Sequence, residues 1–158
     1  PVLLFHDVIS DAEIREVQRS AIRSKLKTND LNEGRGSHVT HDRSSEMAII
    51  PPGASSVMDR LDKRMGDMSN LVVSTSEGTQ VTRFGVGGEC LFHHDFRHSG
   101  HHLQKNGERI ATVTIYLNDV PRGGHTVFEQ WSLSLRPQKG AALFWINLFR
   151  NGAADFST

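Results

Sequence analysis

The side chains best suited to chemistry lie together in one short segment, Phe92-His93-His94-Asp95-Phe96. A β-strand points residues i and i+2 to the same face, so a strand over residues 91–96 would bring the imidazole of His93 and the carboxylate of Asp95 together. These are two of the three ligands of a 2-His-1-carboxylate triad, which leaves open positions on ferrous iron. Because a His-x-Asp pair also occurs by chance on protein surfaces, the flanking sequence must decide between the two interpretations.

The elements before this segment are predicted to be helical. Ser10 and Glu13 form a capping box at the start of a helix over residues 11–25. A second helix is predicted over residues 55–68, and the polar, glycine-containing residues 28–46 predict a loop or an irregular hairpin. The apolar residues predicted to face the core are Ile14, Val17, Ala21 and Ile22 in the first helix and Val57, Met58, Leu61, Met65 and Met68 in the second.

From Thr79 onward the pattern changes to short apolar or alternating runs that are separated by glycine-rich or polar turns. Many short strands at this spacing predict a sandwich, barrel or jelly roll. Helices followed by strands indicate one α+β domain, over residues 1–158, with helices on one face of a sheet. The predicted strands cover residues 79–86, 91–96, 110–117, 125–128, 132–136 and 141–147.

Composition excludes several classes of function. The chain has 18 basic and 18 acidic residues, so its formal charge of zero argues against broad electrostatic binding of nucleic acid. No apolar run approaches the roughly 20 residues that a membrane-spanning helix needs. Cys90 is the single cysteine, so no internal disulfide forms, and no base or metal partner marks it as a nucleophile.

Motifs on both sides of the His-x-Asp pair favour the iron-binding interpretation. They are Phe84-Gly85-Val86-Gly87-Gly88, Gly107-Glu108-Arg109-Ile110-Ala111-Thr112, Tyr116-Leu117-Asn118-Asp119-Val120, Gly123-Gly124-His125-Thr126-Val127-Phe128 and Pro137-Gln138-Lys139-Gly140-Ala141-Ala142-Leu143-Phe144-Trp145. In this order and spacing they resemble the catalytic domain of prolyl 4-hydroxylases, most closely the α subunits of the animal collagen enzymes. The resemblance is strong from residue 81 onward and looser between residues 25 and 70.

The resemblance implies a fold, a reaction and a setting. The implied fold is a double-stranded β-helix, a cupin-like jelly-roll barrel that N-terminal helices support. The implied reaction is 4-hydroxylation of peptidyl proline, coupled to oxidative decarboxylation of 2-oxoglutarate to succinate, with Fe(II), O2 and ascorbate. The implied partners are a proline-rich peptide, for which an aromatic groove suits a polyproline II strand, and protein disulfide isomerase, in the lumen of the endoplasmic reticulum.

The same resemblance assigns expected roles to individual residues. His93 and Asp95 match the first two iron ligands, and Tyr116 matches a tyrosine that hydrogen-bonds the distal carboxylate of 2-oxoglutarate. Thr126 and Trp145 match positions that line the pocket. The residues that match a stretch contacting the peptide substrate are Arg43 and Ser45, for which a solvated loop is an equal alternative.

Three features depart from the family pattern. Phe84 replaces a common tyrosine, His125 replaces a small residue, and Glu89-Cys90-Leu91-Phe92 differs from the usual run before the first histidine. His125 is a candidate for the third iron ligand, and we predict that it is not a ligand. The loop histidines His98, His101 and His102 are interpreted as solvated, with a zinc-binding domain as the alternative.

The family's second histidine ligand and a lysine that pairs with 2-oxoglutarate are expected to follow a segment like Asp155-Phe156-Ser157-Thr158. The chain is therefore expected to be an incomplete catalytic domain, without its last core strand and with little or no activity by itself. Two alternatives stay open. One is a non-catalytic jelly-roll module that binds peptide, and the other is a 2-oxoglutarate oxygenase with another substrate.

Overall fold

The computed structural model describes residues 2–24, 27–28, 45–96 and 107–158. The helices are α1 (Asp11–Arg23) and α2 (Ser56–Ser69), with short 3-10 helices at Val73–Thr75 and Glu129–Trp131. The strands are β1 (Val2–Phe5), β2 (Lys27–Thr28), β3 (Ser45–Ile50), β4 (Thr79–Phe84), β5 (Ala111–Ile115), β6 (Thr126–Phe128), β7 (Leu133–Leu135) and β8 (Ala142–Ile146). Within the described ranges, no helix combines the length and the apolar character required to cross a bilayer.

All the strands pair antiparallel, in three sheets with the orders β1-β8-β5, β2-β3-β4 and β6-β7. Among the described residues these sheets do not close into a continuous barrel. β8 is the central strand of the first sheet, where Leu143 pairs with Leu4 of β1 and with Thr114 of β5. Since neighbouring side chains in a strand point to opposite faces, this pairing also gives the sheet two distinct faces.

Each face of this sheet contributes to its own apolar core. Ile115 packs on a core formed by the two helices and β3, whose buried members are Ile9, Ile14, Val17, Ala21, Ala48, Ile50, Met58 and Leu61. The opposite face contributes to a core whose buried members are Tyr116, Phe128, Ala141, Leu143 and Trp145. The helices therefore support one side of the sheet, as the sequence predicted, and leave the other side for polar and aromatic residues.

The start of α1 is fixed by the predicted capping box and by an ion pair. The Glu13 carboxylate accepts a hydrogen bond from the Ser10 backbone N–H at 3.0 Å, and the Ser10 hydroxyl accepts one from the Glu13 backbone N–H at 3.4 Å. Arg64 of α2 donates to both Glu13 oxygens, at 3.0 and 3.2 Å, and to the Val8 carbonyl oxygen at 2.6 Å. The Arg64 hydrogen bond is the largest of the effects that lower the pKa of Glu13 to about 2.

Gly140 ties the N-terminal segment to the sheet. Its carbonyl oxygen accepts the Val8 backbone N–H at 2.7 Å, and its own N–H donates to the Tyr116 carbonyl oxygen at 2.9 Å. Its φ is +84°, and an added Cβ would lie 3.2 Å from the Ile9 carbonyl oxygen. Both the backbone conformation and the close approach of Ile9 therefore favour glycine here.

The predicted helices and strands are confirmed with one exception; most are slightly shorter than predicted, and α2 is shifted by one residue. The strand predicted over residues 91–96 is wrong, because this segment is bent and His93 hydrogen-bonds the Leu91 carbonyl two residues earlier instead of joining a ladder. Strands β1, β2 and β3 were not predicted. β3 begins at Ser45, inside the segment that the sequence assigned to a loop or irregular hairpin.

The apolar faces of the two helices are narrower than the sequence predicted. Ile14, Val17 and Ala21 are buried in α1, but Ile22 is 67% exposed. Met65 and Met68 of α2 are partly exposed, whereas Met58 and Leu61 are buried. The loop histidines His98, His101 and His102 lie outside the described residues.

The first prediction concerns Glu13. Replacing Glu13 with Gln removes the charge that Arg64 pairs with, and we expect the free energy of unfolding at pH 7 to fall by about 1 kcal/mol. Because the pKa of Glu13 is about 2 in the folded protein against 4.5 ordinarily, this stabilisation is present above pH 4.5 and is lost as the pH falls toward 2. Urea unfolding at several pH values measures it.

The control for this prediction is Glu16→Gln on the same helix. Glu16 pairs with Arg19 and Arg23, whose side chains are 62% and 66% exposed, so its loss should change stability by less than about 0.5 kcal/mol. A stability difference between wild type and Glu13→Gln that stayed constant from pH 7 to pH 2 would contradict the prediction.

The second prediction concerns Gly140. Gly140→Ala should lower the free energy of unfolding by about 1–3 kcal/mol, because alanine resists the positive φ and its Cβ contacts the Ile9 carbonyl. Gly152→Ala is the matched control, since Gly152 has φ +81° but nothing within 4 Å of an added Cβ. Thermal unfolding of both variants isolates the steric part. Equal losses would show that the contact with Ile9 has no cost.

Candidate active site

His93 and Asp95 meet even though they do not lie in a strand. Nε2 of His93 lies 3.3 Å from Oδ1 of Asp95, and Nδ1 of His93 lies 2.7 Å from the Leu91 carbonyl oxygen. A carbonyl oxygen only accepts hydrogen bonds, so Nδ1 holds a proton and Nε2 is the nitrogen presented to Asp95. The hydrogen bond with Asp95 is the largest of the effects that raise the pKa of His93.

The Asp95 carboxylate is held in its ionised form. Burial by itself would raise the pKa of Asp95, but hydrogen bonds from His93 and Thr112 outweigh burial and lower it. The Thr112 hydroxyl donates to Oδ2 at 2.6 Å. Arg109 donates to the Asp95 main-chain oxygen at 3.3 Å and is itself held by Glu77 at 2.5 and 2.7 Å. Both the side chain and the backbone of Asp95 are therefore fixed.

The donor set of this pair fits a divalent transition metal. An imidazole nitrogen and a carboxylate oxygen suit ferrous iron, and the 3.3 Å between Nε2 and Oδ1 is close to the roughly 3 Å between neighbouring ligands on such an ion. In the part of the chain that the structure describes, no cluster of three or more His, Cys, Asp or Glu residues could hold a metal. His125, exposed just before β6, accordingly does not join the pair.

Tyr116 and Thr126 form a second polar contact. The Tyr116 hydroxyl lies 2.7 Å from the Thr126 hydroxyl, and Tyr116 as a whole is 9% exposed. Burial raises the pKa of Tyr116, so the phenol stays neutral and able to donate a hydrogen bond at physiological pH. Trp145 is buried nearby and packs edge-on against Phe128 with ring centroids 5.3 Å apart.

The His93–Asp95 pair and the Tyr116–Thr126 contact lie along one face of the β5–β8 strand pair. Trp145 pairs directly with Thr112, the residue that holds Asp95. Residues two and four positions beyond Thr112 point the same way, so Tyr116, which follows β5 directly, lies on the same face as Thr112. The sheet thus places the His93–Asp95 pair and the Tyr116–Thr126 contact along one surface.

The residues expected to contact a peptide are only partly described. Ser45 begins β3 opposite Phe84 and is 4% exposed, while Arg43 lies outside the described residues. Phe84 is 48% exposed at the end of β4.

Three residues near the pair had no predicted role in the site. His94 stacks on Phe96 at 4.9 Å, and its Nδ1 lies 2.9 Å from the Thr158 carbonyl oxygen. Thr112 and Asn147 also contribute, through a hydrogen bond between their side chains. Thr112 could have been recognised from the sequence, because it lies four residues before Tyr116 in a predicted strand and therefore points to the same face. Nothing comparable marked Asn147.

Several known proteins are similar to this chain. Residues 79–152 match the family model for the 2OG-Fe(II) oxygenase superfamily. The chain is 39% identical to prolyl 4-hydroxylase subunit alpha-1 of Homo sapiens and 36% identical to subunit alpha-2 of Caenorhabditis elegans, in both cases over 99% of this chain and 30% of the relative. The chain thus spans about a third of the length of these relatives.

A solved structure shows the fold. The viral collagen prolyl hydroxylase vCPH from Paramecium Bursaria Chlorella virus-1, in its complex with 2OG, superposes with a TM-score of 0.75 at 22% identity, over 99% of this chain and 83% of that one. The α+β jelly-roll class predicted from the sequence is confirmed, although the described sheets do not close. Residues 79–152 thus match the 2OG-Fe(II) oxygenase superfamily, and the chain is similar over nearly its whole length to part of the prolyl 4-hydroxylase α subunits.

Proposed function

We propose that the protein hydroxylates peptidyl proline at C4 and couples this to the oxidative decarboxylation of 2-oxoglutarate to succinate. The observation that supports the proposal most directly is the surface that joins the His93–Asp95 pair, through Thr112, to the buried hydroxyl of Tyr116. The superfamily uses Fe(II), 2-oxoglutarate and O2. In this proposal His93 and Asp95 supply two ligands to the iron, and the hydroxyls of Tyr116 and Thr126 supply hydrogen bonds to the co-substrate.

In this proposal His93 and Asp95 bind Fe(II), and a third protein ligand comes from outside the described residues. What ferrous iron supplies when bound is the activation of O2, which no side chain can provide. The protein's task at this point is to hold the imidazole with Nε2 toward Oδ1 of Asp95 and to keep the carboxylate ionised. The Leu91 carbonyl does the first, and Thr112 contributes to the second.

Tyr116 and Thr126 bind the co-substrate in this proposal. Tyr116 has a single phenolic proton. If the Thr126 hydroxyl donates to the phenol oxygen, that proton is free to bind a carboxylate oxygen of 2-oxoglutarate. Trp145 and Phe128 belong to the same buried cluster as Tyr116, and a hydrogen bond from the phenol is stronger in such an apolar environment.

The substrate in this proposal is a proline-rich peptide, with collagen-like repeats as the first candidate. The segment that leads to His93 exposes four apolar side chains, and exposed apolar and aromatic groups suit a polyproline II strand. These side chains are Phe84, Val86, Leu91 and Phe92. Ascorbate, protein disulfide isomerase and the lumen of the endoplasmic reticulum complete the proposal, by likeness to the prolyl 4-hydroxylase α subunits.

The proposed function is tested with the purified full-length protein, Fe(II), 2-oxoglutarate, ascorbate and a (Pro-Pro-Gly) repeat peptide. Mass spectrometry should show one added oxygen on proline, with an equal amount of succinate. His93→Ala should abolish both products, whereas His125→Ala should leave them unchanged because His125 does not join the pair. Peptide binding without either product would favour the non-catalytic module, and succinate without hydroxyproline would point to another substrate.

The third prediction concerns Tyr116. Tyr116→Phe should raise KM for 2-oxoglutarate by about 10-fold or more, because a hydrogen bond to a charged group contributes about 1.5–3 kcal/mol. KM for the peptide should not change. Steady-state kinetics with each substrate varied in turn measures the two constants.

The control for Tyr116 is Thr126→Val, which removes the partner hydroxyl but keeps the phenol. It should raise KM for 2-oxoglutarate less than Tyr116→Phe does. Unchanged KM in Tyr116→Phe would remove Tyr116 from the co-substrate pocket.

A further inference from the structure

Asn147 is a buried polar residue at the end of β8 that the proposed reaction does not use. It is 1% exposed, and its Nδ2 donates to the Thr112 hydroxyl oxygen at 3.0 Å. The Thr112 hydroxyl in turn donates to Oδ2 of Asp95 at 2.6 Å. Three side chains therefore form one chain of hydrogen bonds that ends on the proposed metal ligand.

The direction of this chain follows from the number of protons. A threonine hydroxyl has one proton to donate, and the ionised Asp95 carboxylate can only accept. If Asn147 presented its carbonyl oxygen to Thr112, one proton would face two acceptors and one contact would be repulsive. Donation from Nδ2 occupies a lone pair of the hydroxyl oxygen and directs its proton to Asp95.

Asn147 is not explained by packing or backbone structure alone. Its Oδ1 is buried and has no hydrogen-bond partner among the described residues. An unpaired buried carbonyl is costly to the folded state, so an apolar side chain would suit a purely structural position better. The retained amide is therefore better explained by what its Nδ2 does for Thr112.

We infer that Asn147 and Thr112 are positioning residues that select which oxygen of Asp95 binds the metal. The Thr112 hydroxyl engages Oδ2, and Oδ1 is left facing Nε2 of His93 at 3.3 Å. Asp95 thus offers one oxygen, next to the histidine nitrogen, and keeps the other in the protein. The inference rests on the proposed function, since it needs His93 and Asp95 to be metal ligands.

Thr112 and Asn147 can position Asp95 because regular secondary structure holds both of them. Thr112 lies within β5, and Asn147 is fixed on both sides by backbone hydrogen bonds, from its N–H to the Ile110 carbonyl at 2.8 Å and from the Asp155 N–H to its carbonyl at 2.9 Å. Asp95, by contrast, lies in a bent segment outside any strand. The Thr112 hydroxyl therefore holds the Asp95 carboxylate in a fixed position relative to the sheet, although Asp95 has no backbone ladder of its own.

The test is Mn(II) binding to the purified full-length protein without substrates, followed by the electron paramagnetic resonance signal of free Mn(II). Thr112→Val keeps the shape of the side chain and removes the hydroxyl, so it should raise Kd for Mn(II) by about 10–100-fold. Thr112→Ser restores the hydroxyl and should return Kd to within about threefold of wild type. Asn147→Ala should weaken binding in the same direction by a smaller factor.

Thr114→Val is the matched control, with the same substitution two residues further along the same strand and on the same face. It should leave Kd unchanged. Urea unfolding of the metal-free proteins should show that both variants fold, with Thr112→Val the less stable because it leaves Nδ2 of Asn147 without its partner. An equal change in Kd for the two variants, or no rescue by Thr112→Ser, would overturn the inference.

His93→Ala distinguishes a failure of the positioning role of Thr112 from a failure of the metal site itself. If His93→Ala abolishes Mn(II) binding while Thr112→Val leaves it unchanged, the positioning role is wrong and the metal site stands. If His93→Ala leaves Kd unchanged, the metal site of the proposed function fails and the inference fails with it.

Discussion

The antiparallel pairing of β5 with β8 is the constraint on which the proposed site depends. Its register places Thr112 opposite Trp145 and Thr114 opposite Leu143, and it thereby decides which side chains face the helices and which face the site. A slip of one residue would turn Thr112 toward the helices and separate Asp95 from its hydroxyl partner. The fully buried Leu143, packed in the second apolar core, fixes this register through its burial.

The proposed metal ligands lie outside this regular framework. The segment of residues 85–96 has no strand ladder, so individual side-chain contacts must fix its position. Arg109, braced by Glu77, holds the main chain of Asp95, and the Leu91 carbonyl holds the ring of His93. In this irregular segment the His93 side chain is 58% exposed.

The sequence predicted the parts of the fold whose signals are local. The capping box at Ser10 marks the start of α1 and depends on residues three positions apart, and the strands from β4 onward are bounded by their own turns. β1, β2 and β3 were missed because the hydrogen bonds that make them strands come from distant residues. Val2, for example, pairs with Trp145 near the other end of the chain.

In the site too, contacts between residues close in sequence were predicted, whereas contacts between distant residues were not. The meeting of His93 and Asp95 was predicted from strand alternation, and it occurs through a bend that alternation does not describe. Thr126 was expected in the pocket only by resemblance, and its hydrogen bond to Tyr116 depends on how the β6–β7 hairpin lies against β5. Asn147 could not have been recognised, because a buried asparagine has no periodic signature and its role depends on a hydroxyl in another strand.

The electrostatics of Asp95 explain why so many neighbours are needed. A partly buried carboxylate tends to gain a proton, and a protonated carboxyl group binds a metal cation poorly. Hydrogen bonds from His93 and then Thr112 counter this and lower the pKa of Asp95. Thr112 is a neutral donor, which stabilises the negative charge without cancelling it, whereas a lysine in the same place would compete with the metal for Asp95. Arg109 adds positive charge, but it contacts the main-chain oxygen of Asp95 and pairs with Glu77. Its charge is therefore partly neutralised by Glu77 and does not contact the Asp95 carboxylate directly. The site thereby keeps Asp95 anionic and leaves Oδ1, the oxygen beside His93, open to a cation.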